Sequence, residues 1–141
     1  MKDVFDTRRI LILSDTHFPY QKKEYFKWIK KLKATVKPTL TVMIGDLVDF
    51  HSISRHTHSA ELHNIKFEVE EAKKNIKQLR KIFPEVMPIL WGNHDIRIQQ
   101  LAENSQIPNS FMKDINDILD IPDSWGWTWH DKLILTLPNK T

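Results

Sequence analysis

The chain has 141 residues, about the length of one domain, and can bury roughly two thirds of its unfolded surface in a core of its own. It has no cysteine, which excludes disulfides, thiolate metal sites and cysteine nucleophiles together, and a net charge of +3 that is too slight for a dedicated nucleic-acid arm. The opening "MKDVFDTRRILIL" carries acids and only a short apolar run, so it does not read as a signal peptide. No stretch is long enough to span a bilayer, and the chain reads as soluble and cytoplasmic.

In chain order, Ile10 to Leu13 form a short apolar run of the kind that makes a buried strand, ending at Ser14-Asp15-Thr16-His17. Pro19 breaks any continuation. Tyr25, Trp28, Ile29 and Leu32 then recur at helical spacing among lysines 22, 23, 27, 30, 31 and 33, an amphipathic helix with a basic face. Those lysines read first as a solvated surface and second as a phosphate-backbone patch. Leu40 to Ile44 is a second strand, cut off by Gly45. A polar segment with His51, His56, His58 and His63 follows. Leu62, Ile65, Val69, Ala72, Ile76, Leu79 and Phe83 then alternate in steps of three and four, the strongest helix signal in the chain, closed by Pro84. Val86 to Leu90 is a third strand, cut off by Gly92, with short helices expected over about 96–102 and 111–119.

Strands alternating with helices of this length imply right-handed βαβ units: an α/β fold with a parallel sheet and helices packed on its faces. The tail "SWGWTWHDKLILTL" reads as two strands around a turn at His130-Asp131-Lys132. Trp125, Trp127 and Trp129 alternate and so share one face, as a packing stripe or, less simply, as a base-stacking platform or subunit interface.

The three strands end alike. The first gives Asp15 and His17, the second Gly45-Asp46 with Asp49 beyond, the third Gly92-Asn93-His94-Asp95. In a parallel sheet these ends lie side by side on the carboxyl edge, where ligands bind. The chain has 3 glycines, and two of them stand directly before Asp46 and Asn93, where a sharp exit and a close backbone approach are needed. Carboxylate, imidazole and amide oxygen without sulfur suit divalent Mn, Fe, Zn or Ni better than Cu(I) or Mg. Taken singly, Asp15 or Asp46 could be a helix cap, and His17 or His94 a satisfied half-buried histidine. Three strand ends doing so together is a far weaker explanation.

As an ordered set, Asp15-x-His17, Gly45-Asp46-x-x-Asp49 and Gly92-Asn93-His94-Asp95 resemble the first three motifs of the calcineurin-like metallophosphoesterases, and "DFHSISRH" and "GNHDIRI" resemble small bacterial and phage members. The resemblance implies a dinuclear metal site, manganese favoured, hydrolysing phosphodiesters or phosphomonoesters. Asp15 and His17 would bind the first metal, Asp46 would bridge both, and Asn93 would bind the second. His94 would sit beside the phosphate as general acid or charge stabiliser, with Asp95 orienting it and Asp49 in support. Arg55 and Arg97 would hold phosphate.

The family pattern continues into a further histidine at a strand end and a final Gly-His-x-His, neither of which this sequence has. Residues 1–141 are therefore expected to form one incomplete metallophosphoesterase domain: a first metal site that binds weakly and a second that needs help. The His51–His63 cluster is a source of a substitute ligand, or simply a polar loop. Beside the enzyme stand two other readings: an incomplete scaffold that binds a protein partner or a second copy through the tryptophan edge, and a manganese-dependent nuclease.

Overall fold

Each short apolar run that ends in a polar triplet becomes a strand, and each amphipathic run becomes a helix. The computed structural model describes residues 4–53 and 64–139. In order the elements are β1 (Ile10–Leu13), α1 (Tyr25–Val36), β2 (Leu40–Met43), α2 (Ile65–Ile82), β3 (Met87–Leu90), α3 (Arg97–Asn104), α4 (Ile115–Ile118) and β4 (Trp127–His130). Short 3₁₀ turns lie at His51–Ile53, Asn109–Phe111 and Asp123–Trp125.

The strands form one parallel sheet in the order β1-β2-β3-β4. Leu13 pairs with Met43, Met43 with Ile89, and Ile89 with Trp129, so these four side chains share a face. Consecutive strands joined by right-handed crossovers carry their helices on the same side. Accordingly Ile29 of α1, Ala72, Ile76 and Leu79 of α2 and Ile115 of α4 join Leu11, Leu13, Met43, Met87, Ile89 and Trp127 in one core. The opposite face is more open: Ile12 is 60% exposed.

Local chemistry sets the helix limits. Asn64 caps α2, its side-chain oxygen accepting from the Phe67 N–H at 2.9 Å. The helix ends at the buried Phe83, just before Pro84. At the end of α1, Lys37 turns left-handed (φ 49°) and donates its N–H to the Lys33 carbonyl at 2.8 Å. No helix among the described residues is long and apolar enough to cross a membrane.

Two expectations need correction. The helix expected over 111–119 is only the single turn of α4, because Asp114 caps its start with a 2.9 Å bond from the Ile115 N–H, and Met112 is extended. The second tail strand does not form. After β4 the residues from Asp131 to Asn139 carry no strand ladder; instead Thr7 donates to the Thr136 carbonyl at 2.6 Å, tying this stretch to the segment before β1. An apolar run specifies burial, whereas a strand also needs a neighbouring backbone to pair with.

The tryptophans form the packing stripe. Trp127 is 2% exposed, and Trp129 lies 4.5 Å from Trp91, ring to ring, while its indole N–H donates to Asn116 Oδ1 at 2.8 Å. The guanidinium of Arg80 lies over the Trp125 ring at 5.2 Å.

Candidate metal centre

The carboxyl ends of β1, β2 and β3 are drawn together by backbone before any functional side chain is considered. Beyond β1 the chain runs along the loop after β2: the N–H groups of Asp15, His17 and Phe18 donate to the carbonyls of Gly45, Asp46 and Leu47 at 3.1, 3.0 and 3.0 Å. The loops after β2 and β3 touch through glycine. A Cβ on Gly45 (φ +112°) would lie 2.9 Å from Gly92 Cα, and one on Gly92 would fall on the backbone nitrogen and Oδ1 of Asp46. Asp15, His17, Asp46 and Phe50 all have φ near +50°, a left-handed conformation that L side chains adopt at a cost of order 1–3 kcal/mol each. Such strain gathered at one sheet edge is typical of a binding site.

Asp95 holds this geometry from below. It is 1% exposed, and its carboxylate accepts from the N–H groups of Asp46 (2.8 Å), Gly92 (2.9 Å) and Val48 (3.1 Å). Burial pushes its pKa up to about 6; the three amides pull it down and the neighbouring Asp46 carboxylate pushes it up. The sequence expectation that Asp95 orients His94 is corrected here. The Asp95 oxygens are taken by backbone amides, and His94 Nδ1 instead meets the Asp49 carbonyl at 3.0 Å.

Above this floor the ligating groups converge. His17 Nδ1 is bonded to Asp49 Oδ2 at 2.9 Å, leaving Nε2 at 3.5 Å from Asp15 Oδ1 and 3.8 Å from Asp46 Oδ2. The His17 and His94 rings stand edge to face at 4.4 Å, and the His94 N–H donates to Asp46 Oδ1 at 2.9 Å. Ligand atoms of His17, Asp46 and His94 all lie within 4.8 Å of one another. The Ser14 hydroxyl, bonded to Asp15 Oδ2, and the nearby His17 and His94 hold the Asp15 carboxyl below its ordinary pKa, against a smaller opposing effect of burial. Asn93 faces Asp46. With its amide nitrogen inward it donates to Asp46 Oδ1 and Oδ2 at 3.2 and 3.0 Å; with its oxygen inward it adds another acceptor to the same space. Clustered carboxylate, imidazole and amide oxygens fit a hard or borderline divalent cation.

Arg97 is drawn to the same place. Its Nη1 donates to the Asp49 carbonyl at 2.8 Å, and Nη2 lies 3.3 Å from His94 Nε2. Arg55, His56, His58 and His63 lie outside the described residues. His51 lies at the centre's margin, its Nδ1 3.7 Å from Asp49 Oδ1.

Sequence reasoning missed Glu68. This α2 carboxylate is 1% exposed and accepts from the His51 N–H (2.6 Å), the Ser52 N–H (2.9 Å) and the Ser52 hydroxyl (2.6 Å). It pins the turn that follows Asp49. A signal was present, since Glu68 falls between Ile65 and Ala72 on the apolar stripe, where an acid needs a buried donor.

Residues 8–140 match the calcineurin-like phosphoesterase family, and the chain belongs to it. It is similar to the gene 54 proteins of Mycobacterium phages L5 and D29, 30% and 32% identical over 95 residues. Each match takes in 64% of this chain but 37% of the relative, so the chain spans well under half the length of these proteins. No solved structure matches. Family membership carries metal-dependent phosphoester hydrolysis at the level of the family, and the donor cluster at the sheet edge fits a divalent ion.

Proposed function

We propose that this chain is a metallophosphoesterase domain that hydrolyses phosphodiesters or phosphomonoesters with two divalent ions, manganese favoured. The observation that carries the reading is the convergence of His17, Asp46 and His94 ligand atoms within 4.8 Å at the sheet's carboxyl edge. In this reading Asp15, His17 and Asp46 hold the first ion, and Asp46 and Asn93 hold the second. With fewer ligands from this chain, the second ion binds more weakly. The ions would supply an acidified water and positive charge for the phosphate oxygens.

The chain's own residues do the rest. Asp49 Oδ2 accepts a 2.9 Å hydrogen bond from the His17 Nδ1–H, which leaves the Nε2 lone pair for the centre. The Asp49 carbonyl does the same for His94 and fixes its ring, so that Nε2 is the nitrogen that can exchange a proton with the ester oxygen. Arg97 stands beside that nitrogen and holds phosphate. Asp95 supports the site through backbone.

The test is hydrolysis of an aryl phosphodiester and an aryl phosphomonoester by this chain with Mn²⁺, beside Asp46→Asn and His94→Ala. Turnover lost in both variants, each still folded, is the expected result. Turnover that survives both changes would refute the assignment. No turnover from a folded wild-type chain would favour the alternative of an incomplete scaffold.

A further inference from the structure

We infer that the outer face of α1, with the adjoining end of α2, is a docking surface for the phosphate backbone of double-stranded nucleic acid, separate from the metal centre and independent of the reading above. Lys27, Lys30 and Lys31 stand at i, i+3 and i+4 on α1 and so share one face; Lys37 continues it at the helix end, and Lys77 and Lys81 of α2 flank it. All of them are exposed. None forms an ion pair with an acid among the described residues, and α1 itself contains no acid. Where the two helices meet, Lys30, Lys37 and Lys81 line a groove of about 420 Å³. Lys33, in the same groove, is already committed: its Nζ donates to the Ile82 carbonyl at 2.5 Å and lies 3.2 Å from Glu85 Oε1.

A helix face that only meets water mixes its signs, and α2 does so: Lys73 and Lys74 pair with Glu70 and Glu71 at 2.9 and 2.6 Å. Lys37 and Lys81 lie at helix ends, where a cation is favoured by the helix dipole. Lys27, Lys30 and Lys31 have neither reason, and like charges three and four residues apart work against the helix that carries them. The chain as a whole is only +3, so positive charge is gathered on this face rather than spread. A polyanion offsets the repulsion. α1 is about 18 Å long, the rise of about five phosphates along one strand of a duplex. Other polyanions fit this face less well. Ile29, Phe26 and Leu32 turn the apolar side of α1 into the core, which leaves no apolar face to enter a membrane. Single strands are held by aromatic rings set among the charges, and Trp28 stands about 100° round the helix from Lys27, off the lysine face. An acidic protein would need an apolar anchor at the centre of the patch, where there are only lysines and Ala34. The helix of a parallel βαβ unit runs back against its strands, so the groove at the end of α1 lies at the amino edge of the sheet, away from the metal centre. A duplex there is held and not hydrolysed.

The test is fluorescence anisotropy of a labelled DNA duplex of about 20 base pairs, titrated with metal-free protein in chelator at about 50 and about 200 mM salt. The expected result is binding at the lower salt that weakens on the order of 100-fold at the higher. Changing Lys27→Gln, Lys30→Gln and Lys31→Gln together should weaken binding about tenfold or more and flatten the salt slope by about 2–3. Changing Lys66→Gln, Lys113→Gln and Lys132→Gln together alters net charge equally at exposed lysines elsewhere and should leave binding near wild type. The α1 variant sheds like-charge repulsion, so it should melt no lower than wild type, which separates lost binding from lost fold. A folded wild-type chain that does not bind the duplex at the lower salt, or loses of affinity that are equal in the two triple variants, would overturn the assignment. So would tighter binding of a single strand of the same length, of phosphatidylserine vesicles or of polyglutamate than of the duplex. With metal absent throughout, none of these outcomes bears on the metal centre.

Discussion

Asp95→Ala tests the architecture most sharply, because the sequence and the structure give this residue different work. If Asp95 served only to orient His94, its loss would slow catalysis and leave stability alone. In the structure its carboxylate instead closes three backbone N–H groups at 2.8, 2.9 and 3.1 Å in a place that is 1% exposed. A buried donor left without a partner costs about 1–3 kcal/mol, so three of them represent roughly 6 kcal/mol. Against this stands the cost of burying the carboxylate, which raises its pKa from 3.8 to about 6 and is worth roughly 3 kcal/mol at neutral pH. The expected net loss is about 3 kcal/mol, a large part of the ordinary stability of a domain. Urea denaturation at pH 7 followed by circular dichroism measures it. A loss below about 0.5 kcal/mol would refute the claim that Asp95 clamps the two strand ends.

The same residue predicts a pH dependence. Its folded pKa lies above its unfolded value, so the folded state holds the proton more tightly between pH 3.8 and about 6. Its contribution to stability is full below that window and is lost as pH rises through it; in metal-free protein, the denaturation free energy followed against pH should show this fall, and Asp95→Asn should remove it. Gly92→Ala places a methyl group on Asp46, so it should cost about 1–3 kcal/mol and weaken Mn²⁺ binding, read by thermal melting and titration. A Gly92→Ala protein as stable and as tight as wild type would contradict the close approach. Glu68→Gln sets an amide N–H₂ against the donors of His51 and Ser52, so the melting temperature should fall and turnover should drop with it; unchanged melting would deny the pin.

Much of the fold and site was legible because the relevant signals are local. A strand that stops at glycine and a polar triplet announces itself in a few residues, and parallel topology then sets Asp15, His17, Asp46, Asn93 and His94 on one edge. What could not be read is which atom each side chain faces across the loops. The spacing of His94 and Asp95 suggests a partnership, yet neighbours in an irregular loop point in different directions, and Asp95 points down into the amides while His94 finds the carbonyl of Asp49. The tail misled for another reason. The pattern of Leu133, Leu135 and Leu137 resembles a strand, but no sequence pattern names the backbone it would pair with. Glu68 was overlooked among the exposed acids of a charged helix, although Glu70 and Glu71 pair with lysines at the surface while Glu68 reaches a buried turn.

The central claim is that the three strand ends make a divalent-metal site. It is tested most directly by titrating metal-free protein with Mn²⁺ and following bound metal by paramagnetic resonance, with Asp46→Asn as the control. The account predicts saturable binding by wild type and a strong loss in the variant. Asn can keep the bond that Asp46 Oδ1 accepts from the His94 N–H, so the fold should survive the change. Folded wild-type protein that binds no Mn²⁺, or binds it equally well without the Asp46 carboxylate, would contradict the account.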